Sequence, residues 1–148
     1  AKLKKESPIP IAADNLTRDL ASTRALIEGF AADVFIIKPS RIGSFNDVLA
    51  IAKFIRIQGL KLVVTSSIET GVGLSSIIHL AAALNIDSAC GLATSELLLH
   101  NLLKTPILPN QGVIRPANLP GLGISLDPTA IQRYSIGPQN QVSSYTSN

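Results

Sequence analysis

Three short runs of aliphatic and β-branched residues, each stopped by a polar side chain, constrain this chain more than any other feature. Pro10–Ala13 stops at Asp14, Val34–Ile37 (VFII) at Lys38, and Leu60–Thr65 (LKLVVT) at Ser66 and Ser67. Each is followed by a stretch with helical spacing. After Asp14, Leu16, Leu20, Leu26, Ile27 and Phe30 share an apolar side, with Gly29 near the end. After Lys38, Ser44 is placed to cap a helix whose apolar face is Val48, Leu49, Ile51, Ala52, Phe54 and Ile55, and Gly59 follows as a stop. Gly73–Leu84 reads as the next helix. Ser88–Leu92 reads as a weaker fourth strand, and Thr94 or Ser95 as the cap of a short helix carrying Leu97, Leu98, Leu99 and Leu102. Repeats of about 30 residues that alternate strand and helix predict an α/β fold with a parallel sheet.

Two parallel architectures are open. A doubly wound sheet would make a complete domain. A (β/α) barrel takes about 250 residues, so 148 residues would be part of one. The polar residues favour the barrel. Asp14, Lys38, Ser66, Ser67 and Gly91 all fall at C-terminal strand ends, which in a barrel converge on one mouth. The expected division is a partial barrel over 1–104, a segment of changed, Pro-punctuated texture over 105–134 (Pro106, Pro109, Pro116 and Pro120), and a polar, disordered tail over 135–148.

Composition narrows the function classes. Hydrophobic residues are 46% of the chain and aromatics 4%, with no Trp or Met, so the core is aliphatic. The net charge is +3, but only Lys2, Lys4 and Lys5 cluster, and no basic stripe carries interleaved aromatics. No nucleic-acid partner is expected. The longest apolar run, Ile77–Leu84, is interrupted by His79 and is too short to span a bilayer, so no membrane partner is expected either. A single cysteine, Cys90, cannot build an internal disulfide framework. That points to a cytoplasmic location.

Several residues bear chemistry. Asp14 is either a ligand for a hard cation such as Mg²⁺ or a helix N-cap. Lys38 is either a base or fixed charge beside an enolate, or a solvated strand-end lysine. Ser66 and Ser67, with Glu69 close behind, offer hydroxyls and backbone N–H groups to an anionic substrate. Gly71-Val72-Gly73 lacks the Gly-Lys-Ser/Thr ending of a phosphate loop. His79 and His100 have no second ligand at metal-site spacing and read as core or surface residues, and Cys90 reads as a small core residue.

Five stretches taken in order resemble one family: PIPIAAD to Asp14, VFIIKPSRIG (Val34–Gly43), VVTSSIETGVG (Val63–Gly73), GLATSELL (Gly91–Leu98) and GVIRPANLPGLGISLD (Gly112–Asp127). Together they resemble the C-terminal half of o-succinylbenzoate synthase, of the enolase superfamily, over about Ser7–Asp127. The resemblance implies a modified (β/α)₇β barrel whose Pro-rich segment returns to a capping domain. It implies a Mg²⁺-dependent syn-dehydration of a succinyl-hydroxycyclohexadiene carboxylate, on the way to menaquinone or phylloquinone. Asp14 matches the third metal carboxylate and Lys38 the second active-site lysine. Ser66, Ser67, Gly91 and Leu92 match the wall around the succinyl group.

There are departures. The family's Lys-x-Lys base and first two metal carboxylates would lie upstream of these residues, and Asn15 stands where the family usually has Glu. The expectation is therefore that the 148-residue chain is a segment of such a synthase, inactive alone, with the rest on missing or separate sequence. Its expected partners are a small-molecule carboxylate and a complementing chain or a second copy, as a homo-oligomer. The alternatives are an N-acylamino acid racemase or another enolase-superfamily member, and a truncated non-catalytic half-barrel exposing its strand edges.

Overall fold

The computed structural model describes residues 1–136. The order is α1 (Lys2–Glu6), β1 (Ala12–Ala13), α2 (Leu20–Glu28), β2 (Val34–Ile37), α3 (Pro39–Ile42), α4 (Phe45–Ile57), β3 (Lys61–Val64), α5 (Gly71–Ala83), a 3₁₀ turn (Ser95–Leu97) and α6 (Pro128–Tyr134). The strands form one parallel sheet in the order β1-β2-β3. Thr65 extends it by a parallel bridge to Gly91, so four successive strand positions run side by side.

Register decides which way each side chain faces. Val34, Phe35, Ile36 and Ile37 pair with Lys61, Leu62, Val63 and Val64. Alternation puts Phe35, Ile37, Leu62 and Val64 on one face, and all four are buried. They form one core with Val48, Ile51, Ala52 and Ile55 of α4 and Leu74, Ile77, Ile78, Leu80 and Ala81 of α5. Each large aliphatic side chain buried there contributes about 1.5–3 kcal/mol. The opposite face, with Val34, Ile36 and Val63, is only half-buried. A doubly wound sheet carries helices on both faces. Helices on one face and small aliphatics on the other are the cross-section of a barrel wall, so the structure supports the part-barrel reading.

Local chemistry places the helices. Ser44 caps α4, its Oγ accepting from the Asp47 N–H. Gly59, at φ +69°, lies just past the helix and turns the chain into β3. At the other end of the sheet, Asp33 accepts from the Ile11 N–H and pairs with Lys4 at 3.0 Å. That bond gives Lys4, from the N-terminal lysine cluster, a structural task. It also fixes where β1 meets β2.

Some expected elements differ. The helix after Asp14 begins only at Leu20, because Asp19 and Ser22 form a reciprocal capping box there. Leu16 and Phe30 are exposed, and only Leu26 and Ile27 pack on the core. The fourth strand shrinks to the Gly91 bridge, and the leucine-rich helix to the Ser95–Leu97 turn, with Leu97 and Leu99 exposed. The leucine run has no period that buries it, whereas Ser88–Leu92 keeps alternating burial but pairs only at Gly91. Helix α6 was not expected, although Asp127-Pro128 is a start signal: the Asp127 carboxylate accepts from the Thr129 and Ala130 N–H groups. Leu103 pairs antiparallel with Leu126, and Ser75 Oγ donates to the Leu122 carbonyl, holding part of the 105–134 segment to the sheet domain. The tail expected over 135–148 lies outside the described residues from 137 onward.

Candidate active site

The C-terminal strand ends gather on one rim. Asp14 is level with Ile36, and Lys38 lies two residues further along the same face, as the register requires. Their side chains meet: Lys38 Nζ donates to both Asp14 carboxylate oxygens at 2.6 Å. Lys38 is 19% and Asp14 41% exposed, so the pair opens to solvent at the rim. Asp14 is not a helix cap, since Asp19 takes that role. Lys38 is not a freely solvated lysine.

Lys38 is also the residue from which α3 starts, with Pro39 at the first helical position. This short helix is held from both sides. Arg41 donates to Asn15 at 3.3 Å, and Ser40 Oγ donates to Glu69. Asn15, where the resemblance would place a glutamate, thus accepts from an arginine of the neighbouring unit.

The loop after β3 is built around Glu69. Its carboxylate accepts from Ser66 Oγ at 2.5 Å and from the Ser67 N–H at 2.9 Å. Ser66 Oγ in turn accepts from the Ile68 N–H and, at 2.9 Å, from Thr94 Oγ1. Burial pushes the Glu69 pKa up, but the bonds from Ser40, Ser66 and the Ser67 amide outweigh it, and the group sits below its ordinary value. Ile68 is at φ +66°, a left-handed conformation that is a genuine outlier for a β-branched residue. Gly73 makes room for the arrangement: a Cβ there would lie 2.8 Å from Glu69 Cβ. Gly71 is small for another reason, since its Cβ would lie 2.3 Å from the Leu103 side chain. The Gly-x-Gly turn therefore answers to packing.

The six residues singled out from sequence divide into groups. Asp14 and Lys38 touch. Ser66 spends its hydroxyl on the Glu69–Thr94 network. Ser67 Oγ is buried with no partner among the described residues, as are Thr65 Oγ1 and Ser95 Oγ. Gly91 accepts from the Ser66 N–H at 2.9 Å and donates to the Val64 carbonyl, so its backbone completes the ladder. Leu92 is buried in the core. Away from the rim, His79 Nδ1 lies 2.9 Å from its own helix's Ser75 carbonyl, His100 faces Asp127, and half-buried Cys90 packs on the core.

The sequence reading missed Ser40, Thr94 and the hub role of Glu69. The signal was present, because Ser66-x-x-Glu69 has capping-box spacing. Its partner Ser40 is 29 residues away in sequence, and no local pattern links the two.

Comparison with known proteins settles the ancestry of this rim. The model of the family described as enolase C-terminal domain-like matches residues 1–130. The chain belongs to that family. It is similar to o-succinylbenzoate synthase of Thermobifida fusca, 37% identical over 115 residues, covering 77% of this chain and 35% of the relative. It is similar also to o-succinylbenzoate synthase of Mycobacterium leprae, 34% identical over 139 residues, covering 93% and 39%. Among solved structures, 2-chloromuconate cycloisomerase of Rhodococcus opacus superposes with a TM-score of 0.83 at 25% identity, covering 93% of this chain and 37% of that one. Muconate cycloisomerase of Pseudomonas fluorescens superposes with 0.79 at 26% identity, covering 89% and 37%. The chain thus spans under two fifths of the length of each of these proteins.

The enolase superfamily connection raises the question of Mg²⁺. No three His, Cys, Asp or Glu side chains gather among the described residues. Asp14 is a single carboxylate, and both its oxygens are engaged by Lys38. A hard cation wants several oxygen ligands. The described residues therefore do not make a complete site. Nor does any helix among them have the length and apolarity to cross a membrane.

Proposed function

We propose that this chain carries part of the catalytic rim of an o-succinylbenzoate synthase-type lyase, acting on a small carboxylate substrate. The observation that carries the reading is the Asp14–Lys38 pair. One carboxylate and one ammonium, on adjacent strand ends of a family barrel wall, match the two residues the resemblance assigns to metal binding and enolate stabilisation. The similarity to two synthases supports it.

The chemistry asks for a particular arrangement of charge. A proton α to a carboxylate is weakly acidic, and its removal creates an enolate whose charge must be met in place. Lys38, carried at the start of α3, supplies the positive charge that meets the enolate. Asp14 holds that ammonium at the rim when substrate is absent. The proton would pass to a base supplied by residues other than those described, and loss of hydroxide from the neighbouring carbon would then complete the dehydration. The wall of Ser66, Ser67, Gly91 and Leu92 would flank the succinyl group. Buried hydroxyls without partners cost about 1–3 kcal/mol each, and an anionic substrate oxygen is a partner that would recover that cost at Ser67. Mg²⁺, if bound, would take Asp14 as one ligand and the others from residues beyond those described.

The test is turnover of a succinyl-hydroxycyclohexadiene carboxylate with Mg²⁺, assayed on the 148-residue chain and on the full product of the gene that encodes it. The expectation is no turnover by the chain alone and dehydration by the full product. Racemisation of an N-acylamino acid without dehydration would replace the lyase reading by the racemase one. Absence of both would leave a non-catalytic half-barrel.

A further inference from the structure

We propose that Glu69 is a positioning residue that braces the Lys38-bearing helix α3 against the loop after β3, so that the lysine and the Ser67 wall move as one unit. The inference rests on the reading of Lys38 given above, and adds a residue to it.

Four observations converge on this carboxylate. It reaches out of its own loop, since Ser40 of α3, two residues after Lys38, donates to it. It closes the turn behind it, taking the Ser67 N–H and Ser66 Oγ. It spans a strained element: Ile68 is held at φ +66°, and such strain persists only where surrounding bonds over-determine it. Finally, the first turn of α5 makes room for its stem, because a Cβ at Gly73 would lie 2.8 Å from Glu69 Cβ and 3.0 Å from Glu69 Cγ. A carboxylate that served only its own turn would not need Ser40. On the other side of α3, Arg41 donates to Asn15. The lysine helix is thus tied to both flanking strand ends, each tie a hydrogen bond with one charged partner.

Amide hydrogen exchange on the 148-residue chain tests this without any substrate. The amides of Arg41 and Ile42 report α3, since both donate to the Lys38 carbonyl, and the Ser67 amide reports the turn. Glu69→Gln keeps the size of the side chain but weakens the charge-assisted bonds. Exchange is expected to rise roughly tenfold or more at Ser67 and at Arg41 together, the scale of a lost hydrogen bond to a charged group. Ser40→Ala changes an exposed residue and severs only the link between loops. It is expected to speed exchange at Arg41 and Ile42 by several-fold while the fold is retained, and it carries the test if Glu69→Gln fails to fold. Unchanged exchange at Arg41 and Ile42 in Ser40→Ala overturns the brace, whatever happens at Ser67.

Where the full gene product shows dehydration, Ser40→Ala is expected to lower kcat about tenfold, with KM changed less than about threefold. Displacing a catalytic group by a fraction of an ångström acts on the chemical step. An unchanged kcat overturns the link to Lys38. No dehydration in the unsubstituted protein would sink the functional reading and leave the exchange result to decide the brace.

Discussion

Replacing Lys38 by methionine keeps most of the length of the side chain and removes its charge. The structure separates two consequences. The first is stability. The ammonium donates to both Asp14 oxygens at 2.6 Å, but Asp14 is more than a third exposed, so water replaces much of what is lost. Solvent-exposed ion pairs contribute about 0–1 kcal/mol, and the upper end of that range lowers Tm by roughly 2–4 °C in a chain of this size. Against a total stability on the order of 5–15 kcal/mol, the variant stays folded. The second is turnover. Removing one pre-placed group that faces a developing oxyanion costs about 10²–10³ in kcat, or roughly 2.7–4 kcal/mol. A urea or thermal melt of the chain and a dehydration assay of the full gene product therefore give very different answers. Turnover within a few-fold of the unsubstituted protein would refute the role of Lys38. A collapse of the melt by ten degrees or more would refute the reasoning another way, by showing that the pair holds the fold together.

Other outcomes follow from the same geometry. Gly71→Ala ought to gain the helix propensity of alanine, about 1 kcal/mol. The Cβ would lie 2.3 Å from Leu103 and 3.1 Å from the Asn101 carbonyl, so net destabilisation in a thermal melt is expected. Ser44→Ala removes the α4 cap and is expected to cost about 1 kcal/mol in a urea titration; no change would mean another group caps the helix. Phe35→Ala empties a fully buried position in the sheet and is expected to cost about 3–5 kcal/mol, enough to unfold a marginal domain.

Glu69 gives a pH prediction. Its folded pKa lies below its unfolded one, so its contribution is full above the unfolded value and is lost as pH falls through the folded value. Glu69→Gln should therefore flatten the acid limb of stability against pH. Asp19, held down chiefly by the Ser22 N–H, and Asp33, by the Ile11 N–H, titrate in the same direction. The comparison is therefore variant against unsubstituted chain. An identical acid limb in both would show that Glu69 has no stabilising bonds to lose.

The sequence alone determined the periods. Aliphatic runs stopped by polar residues gave β2 and β3 nearly to the residue, and Ser44, the α4 face and Gly59 gave that helix both its ends. These features are local, set by capping, pleat and helical spacing. The same locality placed Asp14, Lys38, Ser66 and Ser67 at strand ends, where a parallel sheet brings them to one rim. Tertiary structure decided what periodicity cannot carry. Only strand register puts Asp14 and Lys38 on one face and within reach. Only packing shows the sheet covered on one side, which separates a barrel wall from a doubly wound sheet. The leucine helix failed because propensity without burial does not hold an element, and the Ser88–Leu92 strand shrank to Gly91 because only that residue pairs with β3's extension at Thr65. Glu69 acquires its role from Ser40, which is close in space and distant in sequence. A hydrogen bond between two loops is created when neighbouring strands align, and neither loop encodes it by itself.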